Sequence, residues 1–322
     1  MAVPTGTFQT FQSIGNREDL TDVIYNIAPT ETPFLSMAGR ATAKARFHEW
    51  QTDTLAAAAT NKQIEGDDAT INTAVPTVRL GNYCQILSKS ISISGTEEVI
   101  NKAGRDSEIA YQIAKRGKEL KRDLEFALIQ NQGSSAGGGG TAQSMASVES
   151  WIFTNRTDLG TGGTPSTPGF ISGTVAAPTD NSVVGTFVKG ALDAVIQAAW
   201  AAGGDPKIIM TGPFNKTRLS GFTGIATLYK EVPGMQQGTI VGGADVYVSN
   251  FGDHTVVPNR FMRDKTVLVL DMDYWAVAYL RPFTQFPLAK TGDSEKREML
   301  VECTLESRNE AASGKVTSLT TS

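Results

Sequence analysis

Two strand-like runs, ARFHEWQTDTL and VRLGNYCQIL, stand on either side of residues 56–77, AAAATNKQIEGDDATINTAVPT, which show neither helical nor strand periodicity. So long an irregular connection is uncommon inside a compact domain, where it is either functional or disordered. A two-stranded ribbon with such a tip has little core of its own and is marginal in water. The chain therefore needs a further surface to support the ribbon, and another subunit would provide one. The return strand runs on into SISIS, where Ile91 and Ile93 alternate with Ser90, Ser92 and Ser94 in a half-buried strand pattern.

The next segment, DSEIAYQIAKRGKELKRDLEFALIQNQ, reads as one helix of roughly 24 residues, about 36 Å at 1.5 Å per residue. Its apolar stripe is Ile109, Ile113, Gly117, Leu120, Leu124 and Leu128, and the rest of its surface is charged, with Lys115/Glu119 and Lys121/Glu125 at i,i+4. Such a helix suits a lateral brace. Gly117 in mid-helix costs about 1 kcal/mol against Ala, so a close approach or a bend is expected there. Ahead of the ribbon, NREDLTDVIYNIAP carries a cap at Asn16 and apolar residues Leu20, Val23, Ile24 and Ile27 at helical spacing. A second short helix starts at Thr32, with Pro33 in its first turn.

Residues 133–181 are rich in Gly, Ser, Thr and Pro around a short element, SVESWIFTN. Residues 183–202 have the broad apolar face of a helix, with Gly203-Gly204 as its stop. Strand KIIMT and a helix opened by Pro213 give this part an α/β character, and ADVYVSN, TVLVLD, YWAVAYL and EMLVECTLESRN read as further strands. In the last, Met299, Val301, Cys303 and Leu305 take one face and Glu298, Glu302 and Glu306 the other. No internal repeat is present.

Lys and Arg number 29 against 33 Asp and Glu, a net charge of −4, which excludes a basic nucleic-acid reader and a binder of anionic membranes. Two distant cysteines, Cys84 and Cys303, form neither a disulfide framework nor a zinc motif, and a reducing compartment is expected. With no signal-like start and no run of eighteen apolar residues, a cytosolic protein is expected, and the Asn-x-Thr triplets at Asn155 and Asn215 are chance matches.

Catalytic signals are sparse. The two histidines are His48, beside Trp50 in the ribbon, and His254 in FGDHT, read as a turn; both are expected to be structural or solvated. Both cysteines sit in alternating strand contexts as small apolar residues. Asp67-Asp68 lies in the acidic tip and Asp271-Met272-Asp273 ends a strand, where Asp makes turns, and one pair supplies too few ligands for a metal. SKSISIS lacks the nucleophile-elbow pattern. No catalytic, cofactor-binding or metal-binding residue is assigned.

The stretches GNREDLTDVIYNIAPTETPFLSM and LRPFTQFPLAKTGDSEKREMLVECTLESRNEAASGKV resemble the ends of phage major capsid proteins of the SU10-like group, and the order of parts follows that group along nearly the whole chain. The resemblance implies an α+β, HK97-like capsid fold. It divides the chain into an N-terminal arm (1–43), an extended loop with flanking strands (44–94), and a peripheral domain with spine helix (107–130) and Gly-rich connector (95–185). An axial domain (186–257) and a return to the peripheral domain and C-terminus (258–322) complete it. It also implies a larger side chain, often Tyr, where Cys303 stands. The implied function is self-assembly into hexamers and pentamers of an icosahedral shell enclosing double-stranded DNA without sequence readout. Portal, scaffolding or decoration proteins are the implied partners, with assembly in the host cytoplasm and no membrane.

Two other readings start from the same residues. One keeps the fold as an encapsulin-like compartment. The other is a phosphate-binding enzyme using Gly137–Gly140 in QNQGSSAGGGGT. A phosphate loop needs a preceding strand and a Gly-Lys-Ser/Thr opening a helix, whereas here a helix precedes and no Lys follows Gly140. The run is expected to end the long helix, with Gly133 in the left-handed C-terminal position and the later glycines as a hinge or connector.

Overall fold

The computed structural model describes residues 31–68, 71, 73–162, 169–171, 173–222 and 245–321. In chain order the elements are α1 (Pro33–Met37), β1 (Gly39–Thr42), β2 (Phe47–Thr52), β3 (Val78–Tyr83), β4 (Gln85–Ser94), α2 (Gly95–Val99) and α3 (Glu108–Ile129). Then follow α4 (Val148–Trp151), β5 (Arg156–Asp158), β6 (Gly169–Ile171), β7 (Thr174–Ala176), α5 (Lys189–Ala201), β8 (Ile208–Thr211) and α6 (Pro213–Ser220). The last strands are β9 (Val246–Ser249), β10 (Gly252–Pro258), β11 (Val267–Leu270), β12 (Trp275–Pro287), β13 (Ser294–Ser307) and β14 (Gly314–Thr317). The helix expected at 16–29 lies outside the described residues.

Two sheets organise the chain. One has the order β1-β12-β13-β4, with β13 paired along its length to β12 on one side and β4 on the other. Its Val301, Cys303 and Leu305 pack with Leu120, Leu124 and Leu128 of α3 in the larger core. The second sheet has the order β5-β14-β11-β8-β10-β9. Its central strand β11 is apolar at every position because both faces are covered: Leu268 and Leu270 enter the larger core, Val267 and Val269 a second core with Leu192, Val195 and Ile196 of α5. This sheet draws strands from 156–158, 267–270 and 314–317 as well as from 186–257.

The long helix forms as expected. Ser107 Oγ accepts from Ala110 N–H at 3.2 Å, Glu108 sits at the positive end of the dipole, and α3 runs 22 residues without a break. Its two i,i+4 pairs do not form. Glu119 pairs with Arg116, and Glu125 turns inward, fully buried, because its carboxylate finds backbone donors on α1. The apolar stripe is accordingly deepest in the C-terminal half, where Leu120, Leu124, Leu128 and Ile129 are buried and Ile109 and Ile113 only half-buried.

Three other expectations are corrected. The helix read from 183 starts at Lys189, because backbone bonds to the C-terminal segment, Gly185 N–H to Ser318 O (2.8 Å) and Thr320 N–H to Gly185 O (2.9 Å), claim the preceding residues; Gly203, at φ +92°, ends it as expected. The return strand is two strands broken at Cys84, β3 in the ribbon and β4 in the four-stranded sheet. His254 lies on β10 and not in a turn.

The glycine run is also different. α3 ends on an extended Gln130, and Gly133 does not take the left-handed conformation; a Cβ there would meet Val175 O at 2.9 Å, so close backbone approach selects Gly. The left-handed residue is Gly137, φ +68°, in a tight hairpin closed by Gly138 N–H to Thr141 O (3.0 Å) and Thr141 N–H to Gly138 O (3.1 Å). A helix precedes the run and a hairpin follows, so it is not a phosphate loop.

Candidate assembly surfaces

The ribbon is β2 paired antiparallel with β3, from Phe47↔Tyr83 to Thr52↔Val78. Its base is held on the four-stranded sheet by polar anchors. Buried Asn82 donates to Leu305 O (2.9 Å) and Ala146 O (3.2 Å) and accepts from Ala146 N–H (2.8 Å), so both its amide hydrogens and its oxygen are used. Trp50 Nε1 donates to Ser307 O at 2.8 Å, and its ring lies 5.4 Å from that of Trp151. His48 Nε2 is 3.2 Å from Glu306 Oε2; that hydrogen bond, with Arg308, holds the Glu306 carboxyl below its usual range. The acidic face of β13 is therefore not a solvent face: Glu302, bonded to Arg281, and Glu306 are both buried under the ribbon and its neighbours.

The tip behaves differently. Among the described residues of 53–77 every one is exposed, including Leu55 at 98 %, Ile71 at 94 %, Val75 at 80 % and Ile64 at 76 %. Gly66, φ +83°, makes a turn with Asp67 N–H bonded to Ile64 O at 3.2 Å, which presents Glu65, Asp67 and Asp68 together. A rigid base carrying an exposed apolar tip has no use within one subunit, and a large exposed apolar set marks an interaction surface.

The remaining sequence candidates have structural surroundings. His254 is 2 % exposed, its Nδ1 donates to Pro206 O, and its Nε2 lies 2.7 Å from Ser249 Oγ, so both ring nitrogens are used. Asp271 caps the short turn before β12 through Asp273 N–H and also accepts from Asp205 N–H at 3.0 Å. Cys84 and Cys303 are buried thiols; burial, with the nearby Glu302 carboxylate, pushes Cys84 up to about 11, and burial drives Cys303 to about 12. Neither is poised as a nucleophile. Cys303 stands opposite Tyr279 on β12. No group of three His, Cys, Asp or Glu able to hold a metal occurs among the described residues, and none of their helices is long and apolar enough to cross a membrane.

A partly buried ionic cluster, which no sequence pattern marks, ties α4 to the six-stranded sheet. Arg263 donates to Glu149 on α4 (Nε to Oε2, 3.1 Å) and to Asp180 (Nη1 to Oδ2, 2.9 Å), while fully buried Lys315 on β14 donates to Glu149 O at 2.6 Å. Burial depresses the Lys315 ammonium to about 8. Its partners come from segments far apart in the chain, so spacing carries no trace of them.

The SU10 major capsid protein family model matches residues 3–320. The chain belongs to that family. It is a phage major capsid protein, a structural component of the virion. The major capsid protein of Escherichia phage Phieco32 is 27% identical over 357 aligned positions, covering 98% of this chain and 97% of that one. Among solved structures, the capsid asymmetric unit of Cyanophage A-1(L) aligns with a TM-score of 0.61 at 13% identity over 97% of this chain and 98% of the other. The capsid of a native GTA particle gives 0.60 at 11% identity over 95% and 96%. The α+β, HK97-like capsid fold implied by the sequence resemblance is the fold of this capsid protein. The compartment and phosphate-enzyme readings are not favoured.

Proposed function

We propose that this capsid protein assembles into hexamers and pentamers of an icosahedral shell that encloses double-stranded DNA, with the ribbon of each subunit lying over a neighbour. The observation that carries this reading is the ribbon itself: a base fixed by Asn82, Trp50 and His48, and a tip in which Leu55, Ile64, Ile71 and Val75 are left in water. The four-stranded sheet with α3 as spine forms the peripheral domain, and the six-stranded sheet with α5 forms the axial domain, centred on 186–257. A net charge of −4 suits a wall that contains DNA without gripping it. Portal, scaffolding or decoration proteins are its further partners, assembly takes place in the host cytoplasm, and the role is non-catalytic.

Deleting residues 56–77 tests the reading. The expected product is a soluble, folded subunit, since the base anchors all lie outside the deletion, with no shells by negative-stain microscopy. Normal shells from the deleted chain would remove the ribbon's role.

A further inference from the structure

Beside the root of α1, an open groove of about 670 Å³ runs between α1, β1, α3 and the bulged middle of β12. Leu35, Tyr279, Leu280 and Phe283 form its apolar wall, and among the described residues Arg40 and Lys121 are its charged lining. Both cations are exposed, and neither has an ion-pair partner among the described residues. The ribbon turn has the opposite character: Ile64 is 76 % exposed, and Glu65, Asp67 and Asp68 beside it are exposed and free of ion pairs among the described residues. Among the described residues one surface has cations, no anion and an aromatic wall; the other presents an aliphatic side chain with three exposed carboxylates next to it in sequence.

We propose that this groove receives the Ile64–Asp68 turn of a second copy of the chain, with Ile64 against Phe283 and Leu35 and the turn's carboxylates on Arg40 and Lys121. Within one subunit the turn is fully exposed, so it does not occupy its own groove. Apolar contact supplies the seat, and the charges supply register and steer the encounter. The inference rests on the shell reading and adds to it a receiving site for the ribbon.

Two measurements test it. A chain carrying Ser36→Cys on the groove rim and Asp68→Cys on the turn is assembled and oxidised; Cys84 and Cys303 are buried and stay out of the reaction. Disulfide-linked oligomers that neither single variant gives are expected. Separately, Arg40→Glu with Lys121→Glu should cut particle yield by about tenfold or more, because like charges then face each other. Adding Glu65→Lys and Asp67→Lys to that chain should recover the yield. Particles without the cross-link, or full yield from the double-Glu chain, would overturn the groove assignment while leaving the shell reading intact. A wild-type chain that forms no particles even when produced with the scaffolding proteins of its own phage would overturn both.

Discussion

Asn82 shows how much one side chain can carry at the foot of a projecting ribbon. Asn82→Ala leaves Ala146 N–H and two carbonyls buried without partners. A loss of about 2–3 kcal/mol is expected by chemical denaturation of the subunit. Lys315 yields a pH prediction. Its folded value of about 8 lies below its ordinary 10.5, so between those pH values the unfolded chain binds the extra proton and stability rises with pH. The gain is roughly 3 kcal/mol at most. Below pH 8 both states are protonated and the cost of the buried ammonium is fully present. Lys315→Met should be more stable than wild type near pH 7 and should lose the rise, measured as the difference between the two chains' unfolding curves at pH 7 and 10. No residue pattern announced either side chain, since both owe their role to partners distant in sequence.

At the scale of elements, local chemistry was readable where it is self-contained. The stop at Gly203 and the apolar spacing of α3 act within a few residues, and both were legible. The start of α5, the break at Cys84 and the inward turn of Glu125 were not, because a hydrogen bond or a neighbouring sheet from elsewhere outweighed local propensity. Gly117 illustrates the same point in reverse: a Cβ there would meet only the flexible end of Met299, at 3.3 Å. Gly117→Ala should therefore raise the melting point, with a gain of about 0.5–1 kcal/mol from helix propensity. In the glycine hairpin the run divides. Gly137→Ala should cost about 1–2 kcal/mol, since it forces a left-handed L-residue and drives a Cβ to 2.8 Å from Gln143 N and Thr141 O. Gly139→Ala, in open space, should leave the thermal melt unchanged.

For the whole molecule, the exposed tip and the buried base of the ribbon separate stability from assembly. Replacing Leu55, Ile64 and Ile71 by Ser should leave the subunit's melting point where it was and lower particle yield, read by sedimentation, because none of the three contributes to a core. The sequence by itself determined the parts and their class: an irregular stretch too long for a compact domain, a long amphipathic helix, an α/β segment, a charge too low for a polyanion reader, and two termini that resemble a capsid family. Periodicity, capping and composition act over short distances and are written in the chain. Only the tertiary structure decided that β14 and β5 join the sheet of β8 and β11, that Glu125 and Lys315 are buried, and that two cations without an ion pair among the described residues share a groove with Phe283. Those outcomes depend on long-range pairing, where each partner's identity is set by the geometry of the fold and not by its neighbours in sequence.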